Sequence, residues 1–285
     1  MSLNVLTAFM LLAKLCLYTG ALISIGVITH ALLKIRKNFK GLYWGTGLLS
    51  FGLAAKLLAT NAQMAGGLSQ VLNFENFHWA WQSSSAQNLF VVSAVLFVLI
   101  GLALKTNRLR AALFIAAVVC LSASFGMTGH TRGQENAPWL YLWMIPHLLF
   151  AGFWVMAPVS LWPDEEADDQ ALIQKVERFS HAAIWIVPML FVSGVYVLWR
   201  LLPEPSDLWT TGYGQLLSVK LTAVTGLLGL GALNKLSVTQ SLKSDASVGR
   251  VQLKRSLSLE AVLFGLVVLV ILFATTVTGP AGHSH

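Results

Sequence analysis

Eight apolar stretches separated by polar links run through the chain, at about 5–33, 41–66, 88–104, 111–128, 139–162, 179–202, 214–236 and 257–279. Their apolar residues follow one another without the alternation of a half-buried strand, and the runs outlast a barrel strand. A helix rising about 1.5 Å per residue needs about 20 residues to cross a hydrocarbon layer of about 30 Å. The pattern therefore predicts an all-α fold: a polytopic membrane helix bundle of eight transmembrane helices. The first stretch lacks a basic start, exceeds the apolar length of a removable signal and holds Lys14 in its middle. It is expected to stay as the first span.

Composition sharpens this picture. Of 285 residues, 56% are hydrophobic and only 11% charged, with a mean hydropathy of +0.69. A soluble domain carries about 25% charged residues, so this chain lacks the polar surface to cover a globule. The net charge of +7 would suit nucleic acid, but the placement of the charges removes that partner. Alternate links, at 34–40, 105–110, 163–178 and 235–255, hold fourteen of the 19 basic residues. The positive-inside rule puts these links in the cytoplasm and both termini on the outer side. Trp139, Tyr141, Trp143 and Trp162 flank the fifth stretch as an interfacial belt would. Residues 1–174 form an expected five-helix region and 175–285 a three-helix domain with a His-containing tail.

The chemistry concentrates at the outer side. Met127 and His130 close the fourth stretch, Met144 and His147 share a face three residues apart in the fifth, and Met64 ends the second at similar depth. Thioether and imidazole donors suit a soft or borderline ion such as Cu(I) and suit magnesium or calcium poorly. Pro146 leaves the Leu142 carbonyl without its helical donor, which predicts a kinked, cavity-lining segment. His78, His283 and His285 stand outside the membrane; a His-x-His at a chain end captures copper or zinc with fast exchange. Packing methionines and histidines bonded to backbone carbonyls are the plainer reading of the same residues. Cys16 and Cys120 lie mid-membrane in apolar runs and imply no disulfide.

On the inner side, His30 and His181 close and open their stretches. Facing one another they would make an inner haem site, with His130 and His147 the outer one. Haem b in a membrane electron carrier is thus the alternative cofactor. Lys14, Lys56, Lys220 and Glu260 are the intramembrane charges, and Glu260 is expected to pair with Arg178 or Lys254. No phosphate-binding glycine loop, nucleophile elbow, HExxH or paired catalytic carboxylate occurs, so the expected function is not enzymatic.

From Arg178 the chain reads RFSHAAIWIVPMLFVSGVYVLW, then LWTTGYGQLLSVKLTAVTGLLGLGALNKL, then RSLSLEAVLFGLVVLVILFATTVTGP. Through Arg178, Phe179, Ser180, Gly194, Leu208, Thr211, Tyr213, Gly214, Leu217, Lys220, Asn234, Ser256 and Glu260 it resembles the copper resistance D domain (CopD) family of bacterial inner-membrane proteins. It departs where TTVTGP replaces the family's double proline. The resemblance implies copper homeostasis, movement of copper between periplasm and cytoplasm, and a CopC-type periplasmic copper-binding partner. It supplies no agreed ligand set. Together these readings give an expectation of Cu(I) import across the inner membrane. His283, His285 and His78 would collect the ion; Met64, Met127, His130, Met144 and His147 would hold it.

Overall fold

The computed structural model describes residues 4–36, 38–73, 75–82, 84–126, 139–163, 168–202 and 204–278, and the described residues contain no strand. The helices are α1 (Val5–Leu32), α2 (Lys40–Met64), α3 (Phe77–Gln82), α4 (Ser84–Lys105), α5 (Arg110–Gly126), α6 (Leu140–Val155), α7 (Ala157–Ser160), α8 (Asp169–Leu201), α9 (Asp207–Thr210), α10 (Gly212–Leu233), α11 (Thr239–Ser244) and α12 (Ala246–Thr276). Among the described residues, seven helical segments are long and apolar enough to cross a membrane: Val5–Leu32, Lys40–Met64, Gln87–Lys105, Leu142–Ser160, Asp169–Leu201, Gly212–Ser244 and Ala246–Thr276. The other predicted span is α5, whose 17 described residues fall short of that length.

Helix ends differ from the apolar pattern in an instructive way. The links at 163–178 and 235–255 lie outside the predicted spans, yet they are largely helical: α8 starts at Asp169 and α12 at Ala246, and the helix of α10 runs on to Ser244 through a π-helical turn, Asn234–Val238. Hydropathy marks where lipid stops, not where the helix stops. Asp168 and Asp245 cap the two protruding helices by accepting from Gln170 and Ala171, and from Ser247 and Val248. The extensions join each other: Arg250 reaches Asp169 at 2.6 Å and Lys243 reaches Glu177 at 2.6 Å. Hydrogen bonds, the Ser247 hydroxyl first, hold the Asp245 carboxyl below the usual carboxylate range. A depressed carboxylate contributes stability above its ordinary range and loses it as pH falls through the lowered value. Asp245→Ala is therefore expected to lower the melting temperature at neutral pH and leave a smaller difference in acid, as a melting series across pH would show.

α1 is the hub. It packs against α2, α5, α6 and α12, while α6 in turn packs against α5 and α8, and α10 against α12. One core joins α1, α2, α4 and α5 around Leu17, Ile25, Leu49, Leu96 and Phe114. A second joins α6 to α8, α10 and α12 around Phe153, Trp154, Leu227, Leu257 and Phe264. Most of α8 instead turns large apolar side chains outward, Trp185, Phe191 and Trp199 among them, as a lipid-facing helix does.

Lys14 ties the ends of the chain together. Its ammonium donates to the Thr275 carbonyl at 2.8 Å and to Thr276 Oγ1 at 3.0 Å, at the C-terminal end of α12 where orphan carbonyls collect negative partial charge. Lys14→Met is expected to destabilise the fold by about 1.5–3 kcal/mol, the range for a hydrogen bond to a charged group. Loss of thermal stability would be the readout.

Candidate functional site

α6 carries the site because its faces are divided among neighbours. Gly152 and Met156 press on α1 at Ile25 and Gly26, Trp154 meets Phe264 of α12 at 5.9 Å, and Trp143 stacks near Tyr196 of α8 at 5.0 Å. His147, on the same side as Trp143, points at α8. The Ser193 hydroxyl donates to the Leu190 carbonyl at 2.9 Å, so its lone pair is what faces His147 Nδ1 at 3.3 Å. In the tautomer that matches this arrangement Nδ1–H donates and Nε2 keeps the lone pair. A Cβ at Gly194 would sit 3.2 Å from the imidazole Cε1, and Lys220 of α10 lies within electrostatic reach of the ring.

These groups share one depth. His147 is seven residues in from the start of α6, Ser193 eight from the end of α8 and Lys220 eight from the start of α10, about 10–12 Å along each axis. Ser193 is fully buried and His147 half-buried. Met144, one turn nearer the start of α6, is half-buried on the same helix. α6 continues through Pro146, and its interruption falls at Met156, before α7.

The other predicted donors are placed less closely. Met64 is 49% exposed at the end of α2, which packs on α1, α3 and α4, and His78 is exposed on α3 with its ring 5.5 Å from Trp79. Met127, His130, His283 and His285 lie outside the described residues. Among the described residues no three His, Cys, Asp or Glu side chains gather as a metal cluster. Cys16 and Cys120 are free thiols, both half-buried.

His30 and His181 do not face each other as a haem pair. His30 is fully buried, its Nε2 at 2.9 Å from the Phe153 carbonyl and its ring edge-on to Phe153 and Phe179, whereas His181 is exposed on α8. A histidine whose Nε2 already serves a backbone carbonyl between two phenyl rings holds helices together. Glu260 also differs from expectation. It accepts from Asn234 Nδ2 at 2.6 Å, and Arg178 donates instead to the Lys34 carbonyl at 2.8 Å. Ser193 gave little warning in the sequence, where a Ser-Gly step in an apolar helix was the available signal; Gly194 was singled out only as one of the positions of the family resemblance.

Three comparisons with known proteins bear on this geometry. Residues 173–274 match the family described as Copper resistance protein D. The chain is 26% identical over 228 residues to the copper transport protein CutJ of Bacillus subtilis (strain 168), an alignment covering 71% of this chain and 42% of that protein. The chain thus spans about two fifths of the length of this curated relative. No solved structure matches. Within the matched region Thr211 caps α10 by accepting from Gly214 N, Gly214 leaves no room for a side chain against Asp207, Phe179 stacks on Phe153 at 4.8 Å, and Asn234 holds Glu260.

Proposed function

We propose, taking the CopD-type region at residues 173–274 as the premise, that this protein handles copper in a bacterial inner membrane and passes Cu(I) from the periplasm toward the cytoplasm. One observation carries the reading: the deepest predicted donor outside that region, His147, is turned onto Ser193 and Gly194 within it. The copper-type segment and the outer His/Met helix thereby meet at one point. Nδ1–H is engaged, Nε2 keeps the lone pair, and Met144 lies a turn away. Nitrogen and sulfur donors of this kind favour Cu(I) over the hard ions.

In this reading Met127 and His130 complete the outer site with Met144 and His147. His78, Met64, His283 and His285 are the first donors an ion meets from outside, and a CopC-type protein delivers it. The topology is eight spans with both termini periplasmic. A C-terminal alkaline phosphatase fusion is accordingly expected to be active, and the same fusion at the 105–110 link inactive.

The test is an optical Cu(I) competition titration of the detergent-purified protein, read together with its visible spectrum and with copper accumulation in cells that carry or lack the gene. Cu(I) binding without a Soret band, and lower accumulation on deletion, is the expected result. A Soret band with no competition for copper would overturn the reading in favour of a haem b electron carrier. Binding with unchanged accumulation would remove transport and leave a copper sensor or scaffold.

A further inference from the structure

The predicted copper donors are nitrogen and sulfur, but one cluster on the inner side gathers a carboxylate, an amide and a hydroxyl: Glu260, Asn234 and Ser256. Glu260 of α12 is 2% exposed, and its Oε1 accepts from Asn234 Nδ2 at 2.6 Å. Ser256 stands one turn earlier on the same helix face and is 8% exposed. Two further polar atoms of these residues, Oδ1 of the same Asn234 amide and Ser256 Oγ, are buried without a hydrogen-bond partner. Buried polar atoms are almost always satisfied, so two orphans, one on a residue bonded to Glu260 and one on a residue a turn from it, call for an occupant.

Local backbone points the same way. Asn234 opens the π-helical turn Asn234–Val238, where Thr239 Oγ1 donates to the Asn234 carbonyl at 2.8 Å. Single π turns inside α-helices recur at functional sites, because the wider turn frees backbone and re-aims side chains. Here it aims an amide at the carboxylate of a second helix.

The surrounding charges do not neutralise that carboxylate through any pair described here. On α10 and the π turn, Lys235 is exposed and Lys220 lies in the outer half; on α11, Lys243 pairs with Glu177. On α1, His30 bonds the Phe153 carbonyl and Lys14 the end of α12, while Arg178 of α8 bonds the Lys34 carbonyl. α7 carries no titratable group, and Lys254 and Arg255 precede Ser256 on α12 itself. A carboxylate removed from water beside a neutral amide is costly unless a cation or a proton joins it.

We propose that Glu260, Asn234 and Ser256 form an oxygen-lined binding site for a small hard cation, Na+ or H+, on the inner side of the bundle. Carboxylate, amide and hydroxyl oxygens suit such a cation and suit Cu(I) poorly. The site stands independently of the copper reading and is tested without copper.

The experiment follows thermal unfolding of the full-length, copper-free protein by tryptophan fluorescence, in sodium chloride against choline chloride, at neutral and mildly acidic pH. Wild type, Glu260→Gln and Ser256→Ala are compared. A melting temperature raised by sodium by about 3 °C, lost in Glu260→Gln and weakened in Ser256→Ala, identifies a Na+ site. A sodium-independent rise on acidification, lost in Glu260→Gln and kept in Ser256→Ala, identifies a proton site. Equal responses of wild type and Glu260→Gln to both overturn the proposal. Should Glu260→Gln not fold, dicyclohexylcarbodiimide labelling of the wild type, located by mass spectrometry, decides instead. Labelling of Glu260 that sodium prevents, or that falls as pH rises, supports the site, and absence of labelling in sodium-free acid overturns it.

Discussion

His147→Ala is expected to weaken Cu(I) binding by roughly a hundredfold or more, since removal of a supporting outer-shell partner alone costs about 10–100-fold. The reasoning starts from the tautomer. With the Ser193 hydroxyl donating to the Leu190 carbonyl, the matching tautomer has Nδ1–H donating to Ser193 and Nε2 as the ligand atom. Ser193→Ala should therefore lose about tenfold, because the ring keeps its donor atom and loses its orientation. The competition titration distinguishes the two variants directly. Wild-type affinity in His147→Ala would refute the site; equal losses in both variants would mean that folding rather than ligation had been damaged. His78→Ala should leave the affinity unchanged and slow only the uptake.

The second large effect concerns the α1–α2 pair on which the bundle is built. A side chain at Gly20 would run into the backbone of Leu49 and Gly45, and one at Gly52 into the backbone of Leu17 and Ala13. Two helices this close are held by van der Waals contact and by small residues that let their backbones approach. Over-packing ordinarily costs about 1–3 kcal/mol because neighbouring side chains shift. Backbone cannot shift in that way, so Gly52→Leu is expected to exceed about 3 kcal/mol and to abolish a monodisperse species in size-exclusion chromatography. Gly47 on the same helix meets nothing within 4 Å, so Gly47→Leu should purify like wild type. Identical behaviour of the two variants would show that α1 and α2 do not pack as described.

Much of this was legible in the one-dimensional pattern. Apolar runs of spanning length give the helices because lipid offers no partner for backbone groups and forces each segment to satisfy its own. The i, i+3 spacing of Met144 and His147 placed both donors on one face, and the text around Thr211, Gly214, Asn234 and Glu260 carried the family resemblance that the match over residues 173–274 supports. Where the pattern misled, it did so for a single reason. The 163–178 and 235–255 links fall outside the predicted spans because they are polar, and a capped helix of Glu, Lys, Gln, Arg and Leu leaves the membrane without ceasing to be a helix.

What the sequence determined by itself is the solvent each residue prefers: the membrane class, the helical segments and the basic links. What only the tertiary structure decided is which groups at equal depth meet. Lys14 finds the end of α12, Glu260 finds Asn234 rather than Arg178, His30 a carbonyl rather than His181, and His147 a serine 46 positions away. In lipid all apolar faces are nearly equivalent, so hydrophobicity cannot choose neighbours. That choice falls to glycine contacts such as Gly20 and Gly52 and to a few polar pairs, and neither leaves a periodic trace along the chain.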